Sequence, residues 1–232
     1  MSGPIIAIDG PSGSGKSSTA RGVAQRLGLR YVDTGAMYRA MTWWMLDQGV
    51  DVDDPDSVAV RCAEAVIELR DDPSNPAVRV DGRDVSADIR ERPVADAVSR
   101  VAAVPEVRAL LVASQRAMVA DALAAGSGLV MEGRDIGTVV LPDADLKVYL
   151  TADVEARAER RAREESQRTG SVSIDEAQAN LQSRDALDST RAVSPLQQAA
   201  DAVAIDGTHL SLDEVIDAVV AALPPGADTD AR

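Results

Sequence analysis

The chain has 232 residues, 45% of them hydrophobic, which is enough for one large α/β unit with a sizeable core and too many for a disordered segment. Its 38 acidic against 24 basic residues leave a net charge of −14, which argues against wholesale docking on nucleic acid or an anionic membrane and points to small partners. One cysteine (Cys62), one histidine (His209), no apolar run of membrane-spanning length and no charged-then-apolar leader exclude a disulfide framework, a His/Cys zinc site and a membrane span, and predict a cytoplasmic protein.

In chain order, the apolar run 4–8 reads as a buried parallel strand, and 16–27 follows with helical apolar spacing at Ala20, Val23, Ala24 and Leu27. Between them, Gly10 to Ser17 fits G-x-x-x-x-G-K-[ST], a phosphate loop in its proper strand–loop–helix context. Gly10, Gly13 and Gly15 let the backbone turn its N–H groups onto anionic oxygens at the helix N-terminus. Lys16 would reach the terminal phosphates, and Ser17 offers a hydroxyl to Mg²⁺. The loop predicts ATP or GTP binding.

A second strand at 29–32 ends in Asp33-Thr34-Gly35, where Thr34 could cap the next helix (36–48) and the Asp33 carboxylate could hold Mg²⁺ through water. Between 63 and 103 the alternation breaks: 66–69, 77–80 and 83–85 around Asp81-Gly82 read as a small antiparallel hairpin unit, an insertion, and Cys62 just before it, in an apolar helical stretch, reads as a buried small side chain. A helix at 105–125, strands at 128–131 and 146–150, helices at 154–168 and 174–187, a strand at 202–205 and a helix at 212–223 complete the pattern, with a frayed tail over 223–232. Alternating strands and helices predict an α/β three-layer fold, a five-stranded parallel sheet flanked by helices.

No N-K-x-D segment accompanies the phosphate loop, since the only asparagines are Asn75 and Asn180, and this counts against a switch GTPase. What the chain has is arginine at strand ends and on late helices: Arg39, Arg134, Arg184, Arg191, and the run Arg157, Arg160, Arg161, Arg163. The run reads either as a solvated basic face with Glu partners or as a lid over nucleotide phosphates. The stretch "RDALDSTR" reads either as a surface salt-bridge segment or as part of an anion site.

Taken together, "IAIDGPSGSGKS", "YVDTGAMYRA", "DAVSRVAAVPEVR", "VMEGRDIGTVVLPDADLKVYL", "SRDALDSTRAVSPL" and "ADAVAIDGT" resemble the bacterial cytidylate kinases over nearly the whole chain. The resemblance implies a P-loop NTPase fold as one kinase domain over 1–222, with an enlarged monophosphate-binding insertion (63–103) and a lid (154–170). It implies transfer of phosphate from ATP to CMP or dCMP with Mg²⁺, with these nucleotides as partners of a monomer.

Residue by residue, it assigns Gly10, Ser12, Gly13, Ser14, Gly15, Lys16, Ser17 and Ser18, with lid arginines Arg157 and Arg161, to the ATP phosphates and metal. Arg39, Arg134 and Arg191 would hold the CMP phosphate beside Thr34. Ser99, Arg108 and Asp135 would meet the cytosine, and Arg184 and Asp188 the ribose. Thr34 stands where many relatives have serine, and Ser17 where some have glycine.

Overall fold

The computed structural model describes residues 3–169, 173–191 and 194–225. The end of the predicted lid, at residue 170, and most of the predicted tail, 226–232, lie outside them. Elements in order are β1 (Ile5–Asp9), α1 (Lys16–Leu27), β2 (Arg30–Asp33), α2 (Thr34–Asp47), α3 (Pro55–Arg61), β3 (Ile67–Arg70), β4 (Ala77–Val80), β5 (Arg83–Asp84), α4 (Arg92–Val101), α5 (Pro105–Ala124), β6 (Leu129–Gly133), β7 (Leu146–Thr151), α6 (Val154–Thr169), α7 (Ile174–Thr190), β8 (Val203–Asp206) and α8 (Leu212–Ala221).

A five-stranded sheet in the order β2-β6-β1-β7-β8 is parallel throughout. Its central strand is buried on both faces, which is why "IIAID" carries no alternation of polar and apolar residues. Ile6 and Ile8 pack with Val23 and Ala24 of α1 and Val215 and Val219 of α8. Ile5 and Ala7 point the other way, against Val119 and Ala122 of α5. Each isoleucine so buried contributes about 1.5–3 kcal/mol, and together they fix the three-layer order of helices, sheet and helices.

The chain changes direction where β1 meets β6, and in such sheets the crevice beyond the carboxyl ends of the strands takes the ligand. The register puts Asp9 level with Gly133 and Asp33 level with Glu132 at that edge. Gly10 closes β1 there because nothing larger fits. A Cβ on it would lie 2.0 Å from the Leu150 carbonyl oxygen, at a φ of +151°.

The insertion holds more than a hairpin. β3, β4 and β5 form an antiparallel sheet in that order. Val78, Val80, Val85 and Ile89 pack with Val98 and Val101 of α4 against Met41, Trp44 and Met45 of α2, in a core of their own. The sequence reading missed both α4, whose signal was Val94, Val98 and Val101 at helical spacing, and α3, whose signal was Asp54-Pro55, an N-cap followed by proline at the first helical position. Cys62 is buried, as expected, in a short turn that follows α3.

Candidate active site

A single cavity of about 370 Å³ opens at the carboxyl edge of the sheet, between the phosphate loop, α2, the insertion, β6 and α7. At one end it is lined by Ser12, Gly13, Gly15, Lys16, Ser17 and Ser18. Lys16 is buried, and its Nζ donates to the Pro11 carbonyl at 2.7 Å. Burial and the nearby Arg134 lower its pKa to about 7, against the pull of Glu132, Asp9 and Asp185. Entry of an anion would favour the charged lysine.

Ser17 Oγ donates to Glu132 Oε1 at 2.6 Å. Glu132 stands inside β6, and burial and the neighbouring Asp33 push its carboxyl up to about 7. Burial also pushes Asp33 up, but Arg39, at 2.8 Å, and the Ala36 N–H, at 2.8 Å, more than reverse it. Asp33 therefore caps α2, a role the sequence reading gave to Thr34 while it placed Asp33 at a metal. Thr34 instead donates its hydroxyl to the Glu132 carbonyl at 2.7 Å, tying the ends of β2 and β6 together.

The same cavity is lined by Arg39, Arg134, Arg161, Arg184 and Arg191. Arg134 Nε donates to Asp188 Oδ2 at 3.0 Å, and Arg191 lies 3.9 Å from the same carboxylate. Among the described residues, four guanidiniums keep a buried N–H without a hydrogen-bond partner, at Arg39 Nε, Arg108 Nε, Arg184 Nε and Arg191 Nη2. Burial and the charge of Arg134 lower the pKa of Arg184 to about 10. Like charges gathered with spare donors are relieved by an anion, and a phosphate supplies both charge and acceptors. Because Asp188 is buried and bound to Arg134, the stretch "RDALDSTR" is not a surface salt-bridge segment.

The far end holds Arg108, from α5, paired with Asp135 just after β6, both almost wholly buried. Burial pushes the Asp135 carboxyl up, opposed by Arg108 and Arg191. Ser99 of α4 lines the same end, and the Tyr38 ring lies 5.5 Å from the Arg108 guanidinium carbon. One buried acid and one buried base side by side present a donor and an acceptor together, the pattern that reads a planar heterocycle edge.

Three predicted residues stand off the cavity. Gly10 packs against β7 as described. Ser14 is buried with its hydroxyl unpaired. Arg157 is buried and donates to the Ala152 carbonyl at 3.1 Å, the Ser12 carbonyl at 2.9 Å and Asp185. Arg160 Nη2 donates to the Gly207 carbonyl at 2.6 Å. The basic run on α6 is thus no solvated face at these two positions: it grips backbone next to the phosphate loop.

The family model for cytidylate kinase matches residues 6–224. The chain belongs to the cytidylate kinase family. Named cytidylate kinases from Streptomyces griseus and Nocardia farcinica are each 54% identical to it, over 216 residues (93% of this chain, 90% of theirs) and 213 residues (92% and 90%). One from Corynebacterium glutamicum is 49% identical over 220 residues, 94% of this chain and 93% of its own. The protein is accordingly a phosphotransferase of the P-loop α/β class, and among the described residues no helix is long and apolar enough to cross a membrane.

Within this cytidylate kinase fold, sequence reasoning missed three carboxylates. Glu132 lies in "VMEGRD", where a lone acid inside an apolar strand was the available signal. Asp9 accepts the Ile136 and Gly137 N–H groups at 2.9 and 2.7 Å and so fixes the π-helical turn Ile136–Val140 that follows Asp135; burial pushes its carboxyl up to about 6. Asp185 joins α7 to the phosphate loop. The last two act through partners more than 100 residues away, which no local pattern announces.

Proposed function

We propose that the protein transfers the γ-phosphate of ATP to CMP and dCMP, giving ADP and CDP or dCDP. The observation that carries the reading is that one cavity is lined by the phosphate loop, a cluster of arginines and the buried Arg108–Asp135 pair, and that they are linked in turn: Arg134 bears on Lys16, Arg134 and Arg191 share Asp188, and Arg191 bears on Arg108 and Asp135. That order fits a triphosphate, a monophosphate and a base in line.

In this reading the loop from Gly13 to Ser18 holds the ATP phosphates, and Lys16 exchanges the Pro11 carbonyl for a phosphate oxygen. Arg39, Arg134 and Arg191 hold the CMP phosphate, Arg184 and Asp188 the sugar, and Ser99, Arg108 and Asp135 the cytosine. An oxygen of the acceptor phosphate attacks the γ-phosphorus in line, the bond to the β–γ bridging oxygen breaks, and that oxygen leaves with the electron pair on ADP. The acceptor needs no base, because its second pKa of about 6 leaves it ionised at neutral pH. The chain's part is positioning, charge neutralisation and exclusion of water.

Among the described residues no group of three or more His, Cys, Asp or Glu is placed to hold a metal by itself. The Ser17 hydroxyl beside the Glu132 and Asp33 carboxylates is nonetheless an all-oxygen set suited to Mg²⁺, which keeps waters and phosphate oxygens for its other positions. Bound there, Mg²⁺ would supply positive charge that offsets the charge of the ATP phosphates. Ser17, freed from Glu132, would face it directly, and Asp33 would act through water. A monomer working in the cytoplasm is part of the same reading.

ADP release coupled to a reporter tests it directly, with ATP as donor and CMP, dCMP, AMP and dTMP as acceptors. ADP should form rapidly with CMP and dCMP only, and chelating Mg²⁺ should stop it. ADP at the same rate without acceptor, or faster with AMP, would overturn the reading.

A further inference from the structure

Asp185 has no part in the transfer just described, yet it is the point where three segments meet. Its Oδ1 accepts the backbone N–H of Ser12, in the phosphate loop, at 3.1 Å. Its other oxygen accepts from Arg157 Nη1 on α6, and the same nitrogen donates to the Ser12 carbonyl at 2.9 Å. The peptide units on either side of Ser12 are thus held by one ion pair, drawn from two different helices. Gly13, next along, has a φ of +76°, and a Cβ there would lie 3.2 Å from the Arg157 carbonyl oxygen and 3.5 Å from Leu181 of α7. The loop, α6 and α7 are therefore in close contact at one spot.

The same helix α7 carries the acceptor-site residues. Arg184 precedes Asp185 directly, and Asp188, one turn on, grips Arg134 at 3.0 Å. Arg184 and Asp188 share their helix with Asp185, Arg134 is tied to that helix through Asp188, and Asp185 is bonded to the loop that the reading above gives to the donor. Charge follows the same path, since Asp185 bears electrostatically on Lys16 and on Arg134.

We infer that Asp185 is a positioning residue that couples the two nucleotide sites: an acceptor drawing α7 inward sets the phosphate loop through the Asp185–Ser12–Arg157 contact. The inference rests on the reading of donor and acceptor above. Coupling of this kind is reciprocal, so the donor would tighten the acceptor by the same factor.

Calorimetric titration measures it without turnover, using β,γ-methylene ATP with Mg²⁺, in the absence and presence of saturating CMP. In the parent, CMP should tighten the analogue by at least about fivefold, the lower end of ordinary site–site coupling. Asp185→Asn keeps an acceptor for Ser12 but loses the charge facing Arg157. It should bring the factor below about twofold while affinity for the analogue alone stays within about threefold. Asp185→Glu, which restores the charge, should recover part of the coupling.

Should the Asn variant fail to fold, Arg157→Lys carries the same test, because a lysine cannot span Ala152, Ser12 and Asp185 together, and it too should lower the factor. An unchanged factor in the variants, equal loss of both affinities at constant factor, or no coupling in the parent would each overturn the inference. If CMP does not bind the parent at all, it is the functional reading that fails.

Discussion

Lys16→Ala should lower kcat by about 10²–10³, the loss typical of removing one preorganised charge contact from a developing transition state. Lys16 is buried at the start of α1, and its ammonium can pass from the Pro11 carbonyl to a phosphate without leaving the cavity. Its pKa, depressed to about 7, reflects burial and the charge of Arg134. Phosphates entering the loop reverse that balance, so the proton is held when it is needed. Removing the side chain should leave the fold intact, because the change deletes a buried charge whose neighbour Glu132 already holds Ser17 and has a raised pKa. Steady-state kinetics beside a thermal unfolding curve checks both halves. Turnover within twofold of the parent would contradict the role given to Lys16.

Arg134→Ala should lower kcat/KM for CMP by a similar factor, about 10²–10³, while binding of ATP alone changes little. Arg134 reaches the cavity from the end of β6 and is aimed by Asp188 and by the Gly133 carbonyl, 3.3 Å from its Nη1. A guanidinium held by two acceptors on one side offers its remaining N–H groups in fixed directions to phosphate oxygens. Arg134→Lys keeps the charge without the fork and should recover only part of the activity. Asp188 does not become an isolated buried charge in either variant, since Arg191 remains 3.9 Å away. Collapse of ATP binding instead would put Arg134 on the donor side.

The parallel sheet was legible because its strands are short, apolar and separated by helical spacing. All five were anticipated to within two residues, as was α1 to the residue. The phosphate loop was legible because three glycines, a lysine and a serine at fixed spacing serve few other purposes. Inside the insertion, turn residues such as Asp81-Gly82 spoke louder than the helical spacing of α4, and the helix was missed.

At the site the pattern is sharper. Residues that line the cavity, such as Arg39, Arg134 and Arg191, stood out as charges at strand and helix ends. Residues that face other residues did not. Asp9, Glu132 and Asp185 are carboxylates whose partners come from distant parts of the chain, and only the fold brings those partners to them. Arg157 is the reverse case, a conspicuous arginine on a basic helix that donates to backbone carbonyls and Asp185 and does not line the cavity.

Relative kcat/KM for CMP and UMP under saturating ATP shows whether the Arg108–Asp135 pair reads cytosine. Cytosine offers an amino donor at N4 and an acceptor at N3, whereas uracil offers an acceptor at O4 and a donor at N3. Arg108 as donor and Asp135 as acceptor, locked together by their own ion pair, match the first edge and oppose the second at both atoms. With about 1–3 kcal/mol for a good bidentate contact, CMP should lead UMP by at least about tenfold, and Asp135→Ala should shrink the ratio mainly by harming CMP. Equal use of CMP and UMP by the parent, or an unchanged ratio in the variant, would contradict the account.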